Sequence, residues 1–114
     1  MGLFANLCPA KNIDQHIETS TIKYEAVEEV DLTVVREITR DVYFGTPKEI
    51  EINTGGERMG CNNMIYSESE IKRIARAATD GCLKRKCRLV SIDKANMLNI
   101  SQLCREAVTN VCTD

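Results

Sequence analysis

Ser67-Glu68-Ser69-Glu70-Ile71-Lys72-Arg73-Ile74-Ala75-Arg76-Ala77-Ala78 is the stretch that decides the fold of this chain. A serine followed three residues later by a glutamate is a capping box, in which the two side chains satisfy backbone N–H groups at the start of a helix. Apolar residues then recur at helical spacing, namely Ile71, Ile74, Ala75, Ala78 and Cys82. Basic residues at 84–86 suit the C-terminal end of the helix dipole. The sequence therefore predicts a helix over residues 68–84.

The segment that follows predicts a strand and a second helix. Residues 87–92 carry Leu89 and Val90 and are typical of a strand, and an apolar face predicts a helix over residues 99–112. Strand, helix, strand, helix in this order predicts an α/β fold with at least one right-handed parallel crossover.

The earlier part of the chain supplies further strands. Residues 31–38 predict a strand that is buried on both faces, since they contain the compact β-favouring run Leu32, Val34 and Val35. Residues 4–13 predict a strand that Pro9 restricts to a sheet edge or to the strand's first residues.

Residues 43–66 predict a protruding β-hairpin arm. Ile50 and Ile52 alternate with glutamates, Thr54-Gly55-Gly56 is a turn signal, and residues 59–66 return as the second strand. An isolated two-stranded hairpin is marginally stable in water. We therefore expect this arm to pack against something outside its own segment.

Size and composition restrict the class of protein. The 114 residues fit a single domain spanning residues 1–114. A net charge of -2 and an aromatic content of 4% argue against nucleic acid as a partner. There is no apolar stretch of membrane-spanning length and no signal-peptide pattern at the start, so we expect no membrane association and a cytoplasmic location.

The cysteines are interpreted as free thiols. There are six cysteines and one histidine, and no C-x-x-C pair, so the sequence does not predict a zinc site. Cys82, Cys104 and Cys112 fit the apolar stripes of the predicted helices, which favours buried thiols.

The tetrad Asp93-Lys94-Ala95-Asn96 follows the predicted strand at 87–92. Ligands of open α/β sheets bind beyond the carboxyl ends of the strands, where a lysine can hold an anion or relay protons. Alternatively, Lys94 is a solvated surface residue, Asp93 pairs with it, and Asn96 caps the loop before the final helix.

Arg36 and Tyr43 are candidates of the same kind. A guanidinium at the end of a strand can bind a carboxylate through two parallel hydrogen bonds. The alternative for Arg36 is an ion pair with Glu37 or with a neighbouring helix. Tyr43 can donate a proton near a developing enolate, or it can be a packing residue.

Several separated stretches resemble one known family, the metal-dependent decarboxylating 2-hydroxyacid dehydrogenases. They are Leu3-Phe4-Ala5-Asn6-Leu7-Cys8-Pro9-Ala10-Lys11, Val35-Arg36-Glu37, Tyr43-Phe44-Gly45, the helix that begins after Tyr66, and Ser91-Ile92-Asp93-Lys94-Ala95-Asn96. The likeness covers almost the whole chain, and Tyr-Phe-Gly after the arginine points to the isopropylmalate branch. The fold that it implies is part of that family's second domain, without the nucleotide-binding part.

The resemblance implies a reaction and a role for each candidate residue. Members of the family oxidise a 2-hydroxy acid with NAD and Mg²⁺ or Mn²⁺, and then release carbon dioxide. By position, Arg36 binds the substrate carboxylate, Tyr43 protonates the enolate, Lys94 assists removal of the hydroxyl proton, and Asn96 lies near substrate and nicotinamide. The lysine comes from the second subunit, so the resemblance also implies a homodimer held by the arm at 43–66.

The chain departs from the family pattern at several positions. Cys8 stands where the family has a second carboxylate-binding arginine, Arg40 and Asp41 stand where glycines are common, and Cys104 replaces a tryptophan. A charged hydrogen bond contributes about 1.5–3 kcal/mol, which corresponds to roughly ten- to a hundredfold in transition-state binding. A side chain at a position that needs positive φ costs on the order of 1–2 kcal/mol.

Three readings of the function remain open. The metal-binding aspartates and nucleotide-binding segments of the family are expected beyond residue 114, so we expect neither NAD nor metal to bind this chain tightly and no turnover by it alone. The first reading is a piece of the leucine-biosynthesis enzyme of the isopropylmalate branch. The second is a non-catalytic dimerisation module or a degenerate copy. The third is a piece of a dehydrogenase that acts on isocitrate, tartrate or homoisocitrate.

Overall fold

Strands and helices both contribute to this chain, which confirms the α/β class expected from the sequence. The computed structural model describes residues 2–13, 19, 21–40, 43–85 and 87–113. The elements are β1 (Ala5–Lys11), α1 (Tyr24–Val27), β2 (Asp31–Glu37), β3 (Lys48–Ile52), β4 (Arg58–Asn62), α2 (Glu68–Leu83) and α3 (Asn99–Thr113). The chain divides into a smaller compact unit, Asn6–Arg36, and a larger one made of Met1–Ala5 and Glu37–Asp114.

The smaller unit contains most of a two-stranded sheet in which β1 pairs with β2. The Asn12 N–H donates to the Val30 carbonyl at one end, and the Ile38 N–H donates to the Phe4 carbonyl at the other, so the strands are antiparallel. The expectation that β2 is buried on both faces is wrong, since Leu32 is exposed along with its neighbour Val34. Such burial needs a layer on each side of the sheet, and the described residues of this unit supply only the four-residue α1.

The predicted hairpin is present, with shorter strands than the range 43–66. β3 and β4 pair antiparallel, with Ile50 opposite Gly60 and Ile52 opposite Arg58. The turn is closed by Asn53, whose side-chain oxygen accepts from the N–H groups of residues 55 and 57 at 2.9 Å each. Both strands are exposed along their whole length.

The two longer helices pack on each other in the larger unit and contain most of its buried apolar side chains. α2 begins with the predicted capping box, and its bounds and those of α3 agree with the sequence to within one residue. Among the described residues the buried apolar side chains are Ile71, Ala75, Ala95 and Ala107. Three of these four are alanines, so the core is small. No helix in the described part of the chain has the length and apolarity to cross a membrane.

The strand predicted over residues 87–92 is absent from the structure. None of these residues joins either sheet, and Leu89, Val90 and Ile92 are exposed, Ile92 to 92%. A strand forms only beside a partner that completes its hydrogen-bond ladder, and the described residues place no strand edge beside this segment. Both sheets among the described residues are antiparallel, so the predicted parallel crossover is wrong for this part of the chain.

Candidate functional site

The end of β2 is attached to α2 by a nearly buried carboxylate, that of Glu37. Its side chain is 7% exposed and accepts the Thr39 N–H at 2.9 Å and the Arg40 N–H at 3.2 Å. The other carboxylate oxygen accepts from the Thr39 hydroxyl and from Arg73 Nη2, the latter at 3.2 Å. A buried charge is tolerated when it is paired and hydrogen-bonded, and here both oxygens are satisfied. We call Glu37, Thr39 and Arg73 the Glu37 cluster.

Arg73 extends this cluster to the beginning of the chain. Its guanidinium lies 4.4 Å from the centre of the Phe4 ring, within the range of a cation–π contact. The same Nη2 also donates to the Thr39 hydroxyl at 3.1 Å. One side chain of α2 therefore holds both Phe4 and the segment that follows β2.

A second ion pair fastens the same segment one turn earlier on α2. Arg40 Nε donates to Glu70 at 2.7 Å, and Glu70 also accepts the Ser67 N–H at 2.9 Å as part of the capping box. Arg40 first, and then the Ser67 N–H and hydroxyl, lower the pKa of Glu70 to about 2. Residues 37–40, which lead to Tyr43, are thus fixed to α2 at two points.

Arg40 stands at a position where the family resemblance implies a glycine, and its side chain stabilises the structure here. Arg40 has no positive φ, so the expected strain is absent at this position, and its side chain makes the ion pair with Glu70. The neighbouring position, Asp41, lies outside the described residues.

Lys94 and Asn96 lie together in a turn that is held against α3. The side chain of Asp93 is 7% exposed and forms a two-pronged ion pair with Arg105, from Nη2 at 2.7 Å and from Nε at 2.9 Å. It also accepts the Ala95 N–H at 2.9 Å, and Gln102 donates to the Ala95 carbonyl at 3.0 Å. Arg105 first, and then the Ala95 N–H, lower the pKa of Asp93.

The turn presents its two candidate side chains to solvent. Lys94 and Asn96 are both exposed, and the Lys94 carbonyl accepts from the N–H groups of residues 97 and 98 at 3.0 Å each. In the part of the chain that the structure describes, the Lys94 side chain has no hydrogen bond or ion pair. The alternative that Asp93 pairs with Lys94 is wrong, because both Asp93 oxygens bind Arg105.

Arg36 and Tyr43 flank the segment fixed by the Glu37 cluster. Arg36 is exposed in β2 and belongs to the smaller unit. Tyr43 belongs to the larger unit, is 59% exposed, and its carbonyl accepts from Lys48 Nζ at 3.2 Å. The structure brings Lys94 and Asn96 together in one turn. The roles of all four residues remain predictions.

Sequence reasoning missed the residues that hold these segments. The sequence predicts Glu37 only as a partner for Arg36, and it gives no prediction for Arg73 or Arg105. Their partners lie 36 and 12 residues away along the chain. No local pattern reports pairs that far apart, although an arginine on each long helix is a possible source of long-range ion pairs.

The cysteines follow the predictions in part. All six are free thiols. Cys82 and Cys104 are half-buried, whereas Cys112 is exposed, so its predicted burial is wrong. Burial first, and then the charge of Asp93, raise the pKa of the Cys104 thiol. Cys8, where the resemblance implies an arginine, is exposed in β1 and donates to the Asn6 side-chain oxygen at 3.3 Å.

Comparison with known proteins gives a family match over the whole chain. The model for isocitrate/isopropylmalate dehydrogenase matches residues 1–114. A 3-isopropylmalate dehydrogenase from Nostoc sp. (strain PCC 7120 / SAG 25.82 / UTEX 2576) is 51% identical over 97% of the chain and 31% of its own length. One from Synechococcus sp. (strain JA-3-3Ab) is 49% identical over 100% of the chain and 30% of its length. One from Hydrogenovibrio crunogenus is 47% identical over 100% of the chain and 32% of its own length. The chain therefore spans about a third of the length of these curated relatives.

The depressed pKa of Glu70 predicts how stability changes in acid. A carboxylate whose pKa is lower in the folded state stabilises the fold fully above its unfolded pKa, near 4.5, and loses that contribution as the pH falls toward about 2. Glu70→Gln removes this contribution. We expect the difference in unfolding free energy between wild type and Glu70→Gln, measured by urea titration at several pH values, to shrink steadily below about pH 4.5.

Glu68→Gln is the matched control, because Glu68 lies in the same helical turn and pairs only with Lys72 at the surface. Its stability difference from wild type should vary little over the same pH range. A Glu70→Gln difference that stays constant from neutral pH into acid contradicts the assignment.

Proposed function

We propose, from the premise that this chain belongs to the isocitrate/isopropylmalate dehydrogenase family, that it is a segment of a 3-isopropylmalate dehydrogenase. The enzyme is an oxidoreductase that converts 3-isopropylmalate by NAD-dependent oxidation and decarboxylation in leucine biosynthesis, in the cytoplasm. The observation that carries the proposal is agreement over the whole chain with proteins of that name at 47–51% identity.

The proposed roles follow from the chemistry of four side chains. Arg36 carries a planar guanidinium, which suits bidentate binding of a substrate carboxylate. Tyr43 carries a phenol, which can deliver a proton to the enolate that remains after loss of carbon dioxide. Lys94 carries an ammonium that assists transfer of the hydroxyl proton, and Asn96 offers an amide to substrate and nicotinamide.

The placement of Lys94 supports its role. An ammonium without an intramolecular partner in the described part of the chain is available to an anionic substrate or to a proton acceptor. The backbone around it is held by Asp93, Ala95 and Gln102, so the side chain projects from a fixed turn. Proton transfer requires a well-positioned group, because misplacement by about 1 Å lowers rates by on the order of a hundredfold.

The cofactors need residues other than those described in this chain. In these residues there is no group of three or more His, Cys, Asp or Glu side chains placed to hold a metal ion. The divalent metal therefore does not fit this segment by itself. Asn96 is the one proposed contact to NAD. We propose that NAD and Mg²⁺ or Mn²⁺ bind where further segments of the enzyme complete the site; a divalent metal bound there would supply Lewis-acid chemistry.

We also propose that the hairpin is the arm of a homodimer. Residues directly opposite each other share a face, so Ile50, Ile52, Arg58 and Gly60 lie on one side of β3 and β4. The isoleucines are 66% and 71% exposed. Each strand of a two-stranded sheet also has a free edge, and both features favour pairing with a second copy. Lys94 of the partner subunit then completes the site beside Tyr43.

A non-catalytic dimerisation module, or a degenerate copy of the enzyme, is the second candidate. Cys8 favours it, because a thiol that donates weakly to Asn6 replaces the charged arginine of the family. A third candidate, a dehydrogenase of the isocitrate, tartrate or homoisocitrate type, differs from the first in substrate alone.

A chimeric enzyme tests the catalytic proposal. The 114 residues replace the matching segment of the Nostoc 3-isopropylmalate dehydrogenase, and NAD reduction is followed with 3-isopropylmalate, isocitrate, tartrate and homoisocitrate in the presence of Mg²⁺. We expect turnover of 3-isopropylmalate in preference to the others. Activity should rise roughly ten- to a hundredfold in Cys8→Arg, since that change restores a charged hydrogen bond.

Variants of the chimera assign the roles. Lys94→Met and Tyr43→Phe should each lower kcat by a hundredfold or more, as expected for loss of a positioned proton donor or acceptor. Lys84→Met, on the exposed end of α2, is the matched control and should leave kcat unchanged. A folded chimera that stays inactive even with Cys8→Arg overturns the catalytic proposal and favours the module.

The arm predicts self-association of the isolated chain. Sedimentation equilibrium should show a dimer, and Ile52→Asp should weaken it by tenfold or more, because burying one isoleucine contributes about 1.5–3 kcal/mol. Met59→Asp makes the same kind of change on the opposite face of the hairpin and is the control, with a smaller effect. A wild-type monomer, or equal effects of the two variants, contradicts the assignment of the arm.

A further inference from the structure

Asp93 and Lys94 are neighbours of opposite charge on an exposed turn, and this creates a conflict. A carboxylate next to a flexible lysine is its nearest potential ion-pair partner, and such a pair would occupy the ammonium that the proposed reaction needs. The structure resolves the conflict by giving the carboxylate another partner.

The partner is Arg105, which binds both oxygens of the Asp93 carboxylate. Nη2 binds one carboxylate oxygen at 2.7 Å, Nε binds the other at 2.9 Å, and the Ala95 N–H adds a third hydrogen bond at 2.9 Å. Two parallel N–H···O bonds are the strongest geometry that an arginine offers to a carboxylate. The Asp93 side chain is 7% exposed, whereas Lys94 is exposed and its ammonium has no hydrogen bond or ion pair among the described residues.

We propose that Arg105 is a positioning residue that keeps Asp93 from pairing with Lys94 and so leaves the Lys94 ammonium available to an anionic ligand. The proposal rests on the proposed function for the identity of that ligand. The charge arrangement itself belongs to this turn and is testable without turnover.

This role differs from that of a simple tether. Gln102 also holds the turn, through the Ala95 carbonyl at 3.0 Å, and the Lys94 carbonyl accepts two further backbone hydrogen bonds. Loss of Arg105 therefore leaves the turn attached to α3 and frees a carboxylate beside Lys94. If Arg105 were only a tether, removing Asp93 would affect Lys94 as much as removing Arg105. The proposed role predicts instead that removing Asp93 restores the accessibility of the Lys94 ammonium in a variant that lacks Arg105.

Competitive labelling of lysines tests the proposal on the 114-residue chain. Trace acetic anhydride is added at neutral pH, and mass spectrometry gives the acetylation rate of Lys94 relative to that of Lys23, an exposed lysine in the other unit. In Arg105→Met, Lys94 should react about twofold to fivefold more slowly, the factor that an exposed ion pair of ordinary strength gives. In Arg105→Met/Asp93→Asn the rate should return to the wild-type value, and Asp93→Asn alone should equal wild type.

Two further variants guard the interpretation. Arg76→Met removes an exposed arginine from α2 and should leave Lys94 labelling unchanged. Arg105→Gln keeps a hydrogen-bond donor without the charge, so it should slow labelling even if Arg105→Met fails to fold. Unchanged labelling in both Arg105 variants, or a double variant as slow as the single one, overturns the proposal.

The outcome is separable from that of the proposed function. Labelling reports the state of Lys94 in a chain that needs no substrate, cofactor or turnover. An inactive chimera with the expected labelling pattern removes the catalytic function and keeps the Arg105 assignment, and the reverse pattern removes Arg105 alone.

Discussion

A carboxylate that is almost excluded from water needs hydrogen-bond donors in place of the water that it has lost. In this chain the Glu37 carboxylate has such donors. Its oxygens collect the Thr39 and Arg40 N–H groups, the Thr39 hydroxyl and the Arg73 guanidinium. Removing one partner of a buried ion pair leaves the other charge without compensation, and this destabilises a fold by more than the pair's net contribution. Glu37 therefore needs Arg73 and the other donors to stay in place. These hydrogen bonds hold the segment leading to Tyr43 against α2, and Arg73 also makes a cation–π contact with Phe4.

The rest of the molecule depends on such polar contacts because its apolar core is small. Ile71 and Ala75 of α2 and Ala107 of α3 are buried. Ile52 and Ile92, by contrast, are 71% and 92% exposed. Burial of an isoleucine contributes about 1.5–3 kcal/mol to the stability of a fold, and the exposed isoleucines do not make this contribution. The chain also spans only about a third of the length of the relatives that it matches.

The sequence predicted the parts of the fold that depend on neighbours along the chain. The capping box at Ser67, the period of α2 and α3 and the Asn53–Glu57 turn are local, and they form as expected. Residues 87–92 have the composition of a strand, but they can form one only beside a partner strand. Composition does not show whether such a partner is present. The same reason hides the Glu37 and Asp93 ion pairs, whose partners come from distant helix positions. The roles of Lys94 and Asn96 are predictions from the family resemblance, and the structure adds how their turn is held.

Amide hydrogen exchange at Thr39 tests the central claim most directly. In wild type the Thr39 N–H should be protected by Glu37, and in Glu37→Ala it should exchange about tenfold faster or more, since a hydrogen bond to a charged group contributes roughly 1.5–3 kcal/mol. The Glu57 N–H, which Asn53 accepts in the hairpin turn, provides the internal control and should exchange equally in both proteins. A Thr39 N–H that exchanges as fast in wild type as in Glu37→Ala contradicts the account.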